Sequence, residues 1–121
     1  MRSRVAILST SVETVNRIPG THRWEEAPSE VAFLRTSHRH VFVVRCSFPV
    51  SYSRQREFYL LETKIDEWFD EHFTRDAVGS FIFGGMSCED IATQLLLDFD
   101  GMEWCRVSED GEEAAVVRRE H

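Results

Sequence analysis

Ser37-His38-Arg39-His40-Val41-Phe42-Val43-Val44 is the stretch on which the fold turns. Its β-branched and aromatic residues read as a strand from about His38 to Val50. Side chains alternate faces along a strand, so His38 and His40 share one face with Cα atoms about 6.5–7 Å apart, near enough for both imidazoles to lean onto one cation. Phe42, Val44, Cys46 and Phe48 fall on that face, while Val41, Val43, Arg45 and Ser47 turn the other way. Zinc poised for chemistry takes three protein ligands and keeps an open position. His22, in Gly20-Thr21-His22-Arg23-Trp24, is the candidate for the third. Cys46 lies about 20 Å beyond His40 along a strand and is excluded from the same ion. The Arg39 between the ligands equally fits a half-exposed strand on which a His-x-His pair is incidental.

The chain has 121 residues, enough for one domain (1–121) with a single core. Its net charge of −7 argues against a nucleic-acid partner, because sequence-independent binding rests on neutralising phosphates with Lys and Arg. No apolar run approaches the roughly 20 residues of a membrane span. Met1-Arg2-Ser3-Arg4 is followed by too short and too polar a stretch for a signal peptide, so no membrane partner and a cytoplasmic location are expected. Cys46, Cys88 and Cys105 are odd in number and lack Cys-x-x-Cys spacing, which points to buried or reactive thiols.

Outward from the His-x-His strand, Val5–Val15 reads as a first strand closed by Pro19-Gly20, and His22–Ser37 as a long connection. After Arg56 the apolar period changes from two to about 3.6, with Phe58, Leu61, Ile65, Trp68, Phe69 and Phe73 on one face of a helix from about Glu57 to Phe73. Thr74–Met86 reads as a glycine-flanked loop around an apolar insert, Phe81-Ile82-Phe83. Ser87 fits the N-cap of a second helix with Asp90 at its third position, and Asp100-Gly101 stops it. Two short strands, about Glu103–Ser108 and Glu113–Arg118, flank an Asp110-Gly111 hairpin signal. The order ββααββ describes an α+β fold: a four-stranded antiparallel sheet with both helices on one face.

This order and its histidines resemble the 6-pyruvoyltetrahydropterin synthase and 6-carboxytetrahydropterin synthase (QueD) family, of the tunnelling or T-fold. The family's Ala-His-x-Leu followed by His-Gly-His is similar to Thr21-His22-Arg23-Trp24 followed by His38-Arg39-His40. Its Asp-Phe-x-x-Leu-Lys helix start resembles Glu57-Phe58-Tyr59-Leu60-Leu61-Glu62, and its Pro-Thr-x-Glu-Asn-hydrophobic-Ala start resembles Met86-Ser87-Cys88-Glu89-Asp90-Ile91-Ala92. Its closing hydrophobic-x-Val-x-Glu-Thr resembles Cys105-Arg106-Val107-Ser108-Glu109-Asp110.

The resemblance implies Zn²⁺ on His22, His38 and His40, with Glu109 and the Ser87 region binding a pterin or purine-like small molecule. It implies a homo-oligomer with sites between subunits, in which Glu109 and Ser87 face the histidines of a neighbour. The reaction would be that of a zinc-dependent lyase on a dihydroneopterin triphosphate-like substrate, in a pterin or 7-deazaguanine (queuosine precursor) pathway. The sequence departs where the family carries its catalytic cysteine, since that position is Leu34, which cannot take a proton. Cys88, in the first turn of the second helix, is the substitute thiol, and Asp70-Glu71-His72 stands in for the family's Asp-His pair, giving Asp70, His72 and Cys88 as candidate catalytic residues. Two other readings remain at this point: a non-catalytic T-fold protein that binds the heterocycle, and a small acidic interaction protein with incidental histidines.

Overall fold

Apolar residues at every second position of the central strand give the sheet one face to bury, and that face sets the architecture. In the computed structural model, which describes residues 6–120, β1 (Thr10–His22) and β2 (His38–Val50) pair antiparallel along their full thirteen residues, from Thr10 opposite Val50 to His22 opposite His38. A pair of 3₁₀ turns kinked at Val31 (Ser29–Arg35) forms the connection. There follow α1 (Phe58–His72), β3 (Phe81–Gly84), α2 (Cys88–Asp98), β4 (Trp104–Glu109) and β5 (Ala114–Arg118). Phe42, Val44, Cys46 and Phe48 of β2, with Ile18, Cys105 and Val107, form one core with Leu61, Ile65, Trp68 and Phe69 of α1 and Ile91, Ala92, Leu95 and Leu96 of α2. Both helices therefore cover the histidine-bearing face.

The fold is α+β, but the sheet has five strands rather than four, in the order β3-β1-β2-β4-β5, and it is not wholly antiparallel. The extra strand is β3, parallel to β1 at Gly20–His22 and drawn from the segment expected to be a loop. Phe81 and Phe83 point into the core while Ile82 is exposed, a period of two too short to register between glycines.

The first strand also differs from expectation. It starts at Thr10 rather than near Val5, which lies outside the described residues along with Met1-Arg2-Ser3-Arg4, and it runs through Pro19-Gly20 to His22. Its inward positions include the polar Thr14 and Asn16, which masks the alternation. Asn16 is buried because its amide donates to the Glu62 carbonyl at 2.9 Å and to Asp66 Oδ1 at 2.8 Å, tying β1 to α1. β3 begins to pair only at Gly20, so Pro19 sits where one flank of β1 is open, a place strands tolerate proline.

The helix ends follow the sequence closely. Ser87 and Asp90 form the expected capping box, with Ser87 Oγ accepting the Asp90 N–H at 3.1 Å and Asp90 Oδ2 accepting the Ser87 N–H at 3.0 Å. Glu57 caps α1 by accepting the Leu60 N–H at 2.8 Å. At the far end of α2, Arg119 donates to the carbonyls of Leu96 and Phe99, acceptors the helix leaves open, and to that of Met102 in the turn beyond. All three cysteines are buried free thiols, with Cys46 and Cys105 facing each other across β2 and β4 at 3.9 Å. Among the described residues no helix is long and apolar enough to cross a membrane.

Gly20 lets β3 close onto the sheet, because a Cβ there would fall within the Phe83 ring and 3.2 Å from the Phe42 ring. Gly20→Ala is expected to lower the urea midpoint by an amount equivalent to about 1–3 kcal/mol. The double variant G20A/F83L should lose less than the sum of the two single losses, because the smaller side chain makes room for the methyl group.

Candidate metal centre

Two paired strands deliver the three histidines to one place. His22 ends β1 and sits directly opposite His38 at the start of β2, while His40, two residues on, lies on the same face opposite Gly20. The ring centroids lie 4.6 Å (His22–His38), 5.1 Å (His38–His40) and 5.5 Å (His22–His40) apart. One nitrogen of each ring lies within 4.8 Å of the corresponding nitrogens of the other two, a cluster that can hold a metal ion. Phe42 forms an apolar floor, edge-on to His22 at 5.0 Å and to His40 at 5.7 Å.

The other nitrogen of every ring is already anchored. His22 Nδ1 lies 3.0 Å from the Met86 carbonyl, His38 Nδ1 2.9 Å from the Thr36 carbonyl, and His40 Nδ1 2.8 Å from Asp110 Oδ2. These partners only accept, so in the neutral ring each Nδ1 carries the proton and each Nε2 presents a lone pair. All three Nε2 atoms are buried without a hydrogen-bond partner. Burial also lowers the pKa of His22 below the usual 6.5, outweighing the raising effects of the Met86 hydrogen bond and the Glu109 charge, and favours the neutral ring a metal requires.

Asp110 is the site residue that sequence reasoning missed. Its Asp-Gly signal was fully explained by the turn, where Asp110 and Gly111 both adopt left-handed conformations (φ 56° and 80°) and the Glu112 N–H donates to the Glu109 carbonyl at 3.0 Å. The same carboxylate also accepts the Val41 N–H at 2.8 Å, so it is held by the backbone while it orients His40. Its pKa is lowered, first by the His40 hydrogen bond and then by that of Val41. The Met86 and Thr36 anchors are main-chain carbonyls and leave no mark in the sequence.

Glu109 extends from β4 over the cluster, with Oε1 3.2 Å from His22 Nε2 and Oε2 3.4 Å from His40 Nε2. It thus lies against the histidines of its own chain. Beside it opens a cavity of about 410 Å³, lined among others by His22, His38, Trp24, Leu34, Ser87, Cys88 and Glu109. Leu34 is held there by its carbonyl, which accepts the Trp24 N–H at 2.8 Å. A larger hollow of about 550 Å³ around Tyr52 and Arg54 has no metal-ligating cluster in its walls, so the smaller one is where chemistry concentrates.

The remaining candidates have other surroundings. The Ser87 hydroxyl lines the cavity but is engaged in capping α2. The Cys88 thiol is pushed up to about 12 by burial and by the charges of Glu109 and Glu89, which overrides the help expected from the helix N-terminus, and it keeps its proton at neutral pH. Asp70 pairs with Arg75 at 2.8 Å, and His72 stacks on Trp68 with its Nε2 3.4 Å from Asp98; neither lines the cavity. Arg39 points to the opposite sheet face, where its Nε donates to Ser80 Oγ at 2.8 Å, and stays out of the pocket. No protein-family model and no curated protein sequence matches the chain.

Asp110→Asn keeps a residue suited to the left-handed turn but leaves one oxygen where two hydrogen bonds are accepted. It should weaken metal binding about 10-fold or more in competition with a chromophoric chelator. Because the folded-state pKa of His22 is depressed, its stabilising contribution is complete above the unfolded value of 6.5 and is lost as pH falls toward the folded value. The metal-free chain should therefore lose denaturant resistance as the pH falls below about 6.5, and His22→Gln should flatten that slope.

Proposed function

We propose that the chain is a zinc-binding protein of the T-fold kind, related to the 6-pyruvoyltetrahydropterin synthase and QueD-like family, whose cavity takes a pterin or purine-like compound. The observation that carries this reading is the convergence of three buried, unpartnered Nε2 atoms, with His22 and His38 on the wall of a cavity. Three neutral imidazoles suit Zn²⁺ among the common divalent ions, and they leave its double charge uncompensated. When bound, such an ion supplies a Lewis acid able to polarise a hydroxyl or keto oxygen. Trp24, half-exposed on the cavity wall, offers an aromatic face to a planar heterocycle. The reading includes a homo-oligomer.

Binding without turnover is the form of this reading that the cavity supports best. Leu34 occupies the wall where a proton-accepting cysteine would be needed, and the buried Cys88 holds its proton. A second reading, a zinc-dependent lyase acting on a dihydroneopterin triphosphate-like substrate, is favoured by the position of Cys88 and Glu109 on the same wall.

Zinc-loaded protein, purified without a histidine tag, is expected to bind 7,8-dihydroneopterin triphosphate in a calorimetric titration and to release neither triphosphate nor acetaldehyde. His38→Ala should lose both the metal and the binding. Release of either product would establish the lyase reading instead. Failure to retain stoichiometric zinc would refute both and leave the histidines incidental.

A further inference from the structure

The position of Glu109 over the histidines raises an electrostatic problem that its role as a heterocycle anchor does not solve. Its two oxygens approach His22 Nε2 and His40 Nε2 to 3.2 and 3.4 Å, within ion-pair range, yet neither nitrogen has a hydrogen-bond partner. The Nδ1 anchors already hold each ring proton on the far nitrogen. The carboxylate therefore points its lone pairs at imidazole lone pairs, a repulsive arrangement in a site where His22 is buried. A cation between them turns the repulsion into attraction on both sides. Each of the two distances is close to the about 3.4 Å that separates ligand atoms bound to one tetrahedral zinc at about 2.0–2.1 Å.

We propose that Glu109 is the fourth ligand of the divalent ion, so that the resting centre is a closed His₃–carboxylate site. This rests on the metal site put forward above and changes what an incoming compound must do. A hydroxyl or keto oxygen reaches the metal by displacing the Glu109 carboxylate, with no proton or electron transferred in the exchange. The released carboxylate remains on the cavity wall as a two-oxygen acceptor for the amino and ring N–H groups of a guanine-like edge. Ligands carrying both an oxygen donor and such an edge are thereby selected over simple diols or simple purines.

The test uses the full chain stripped of metal and titrated with Zn²⁺ or Co²⁺, comparing wild type, Glu109→Gln, Glu109→Ala and the charge control Glu89→Gln, which alters another acid of the same cavity. Circular dichroism of the metal-free proteins checks that each is folded, and the isosteric glutamine covers any failure of the alanine. Both Glu109 variants should bind Zn²⁺ at least about tenfold more weakly, with E89Q much less affected. Azide should change the visible spectrum of Co²⁺-loaded E109Q, where a ligand position is open, and leave that of wild type unchanged. Wild-type Zn²⁺ affinity in E109Q, an equal loss in E89Q, or an azide response in wild type matching E109Q would overturn the fourth-ligand assignment while the three-histidine site stands. Absence of any Zn²⁺ or Co²⁺ binding in wild type would overturn the metal site itself.

Discussion

The backbone ladder between β1 and β2 is the constraint from which the rest of the molecule follows. It runs the full length of both strands without a register shift, so the last residue of one meets the first residue of the other and His22 faces His38. The same ladder places Ile18 beside Phe42 and Asn16 beside Val44, building the face that α1 and α2 cover. β4 then joins β2 with Glu109 opposite Phe42, which brings an acid to the rim where the histidines emerge. One pairing thus sets the core at one end of the sheet and the site at the other.

Much of this was legible because it depends on local chemistry. Strand alternation put His38 and His40 on one face, the 3.6-residue period located α1, and the Ser87–Asp90 box located the start of α2. What was hidden depends on partners distant in sequence. The strand character of Phe81–Gly84 comes from a parallel neighbour, and the burial of Asn16 from acceptors on α1. In the site, side-chain ligands announce themselves by residue type, whereas the carbonyls of Met86 and Thr36 that fix the imidazole tautomers do not. Asp110 was concealed differently, since its role in the turn was a sufficient explanation for its presence.

The turn after β4 gives adjacent acids unlike tasks. Asp110, bound by the Val41 amide, orients a ring from behind, while Glu109 stands before the lone pairs that the ring presents. The left-handed backbone at Asp110 is what allows neighbouring residues to reach opposite ends of one imidazole. The same cavity lacks a ready proton acceptor among its thiols, because Cys88 is buried beside the acids and Leu34 has nothing to ionise.

Arg39 gives the central triplet a second meaning. With its guanidinium fixed to the buried Ser80 on the reverse side of the sheet, it is as firmly assigned to that side as the imidazoles are to theirs. A one-residue slip in strand pairing would carry a fixed positive charge into the pocket, take both imidazoles out of it, and expose the phenylalanines behind them. The alternation His-Arg-His therefore works as a proofreading mark. A misaligned chain loses its core and its histidine cluster together.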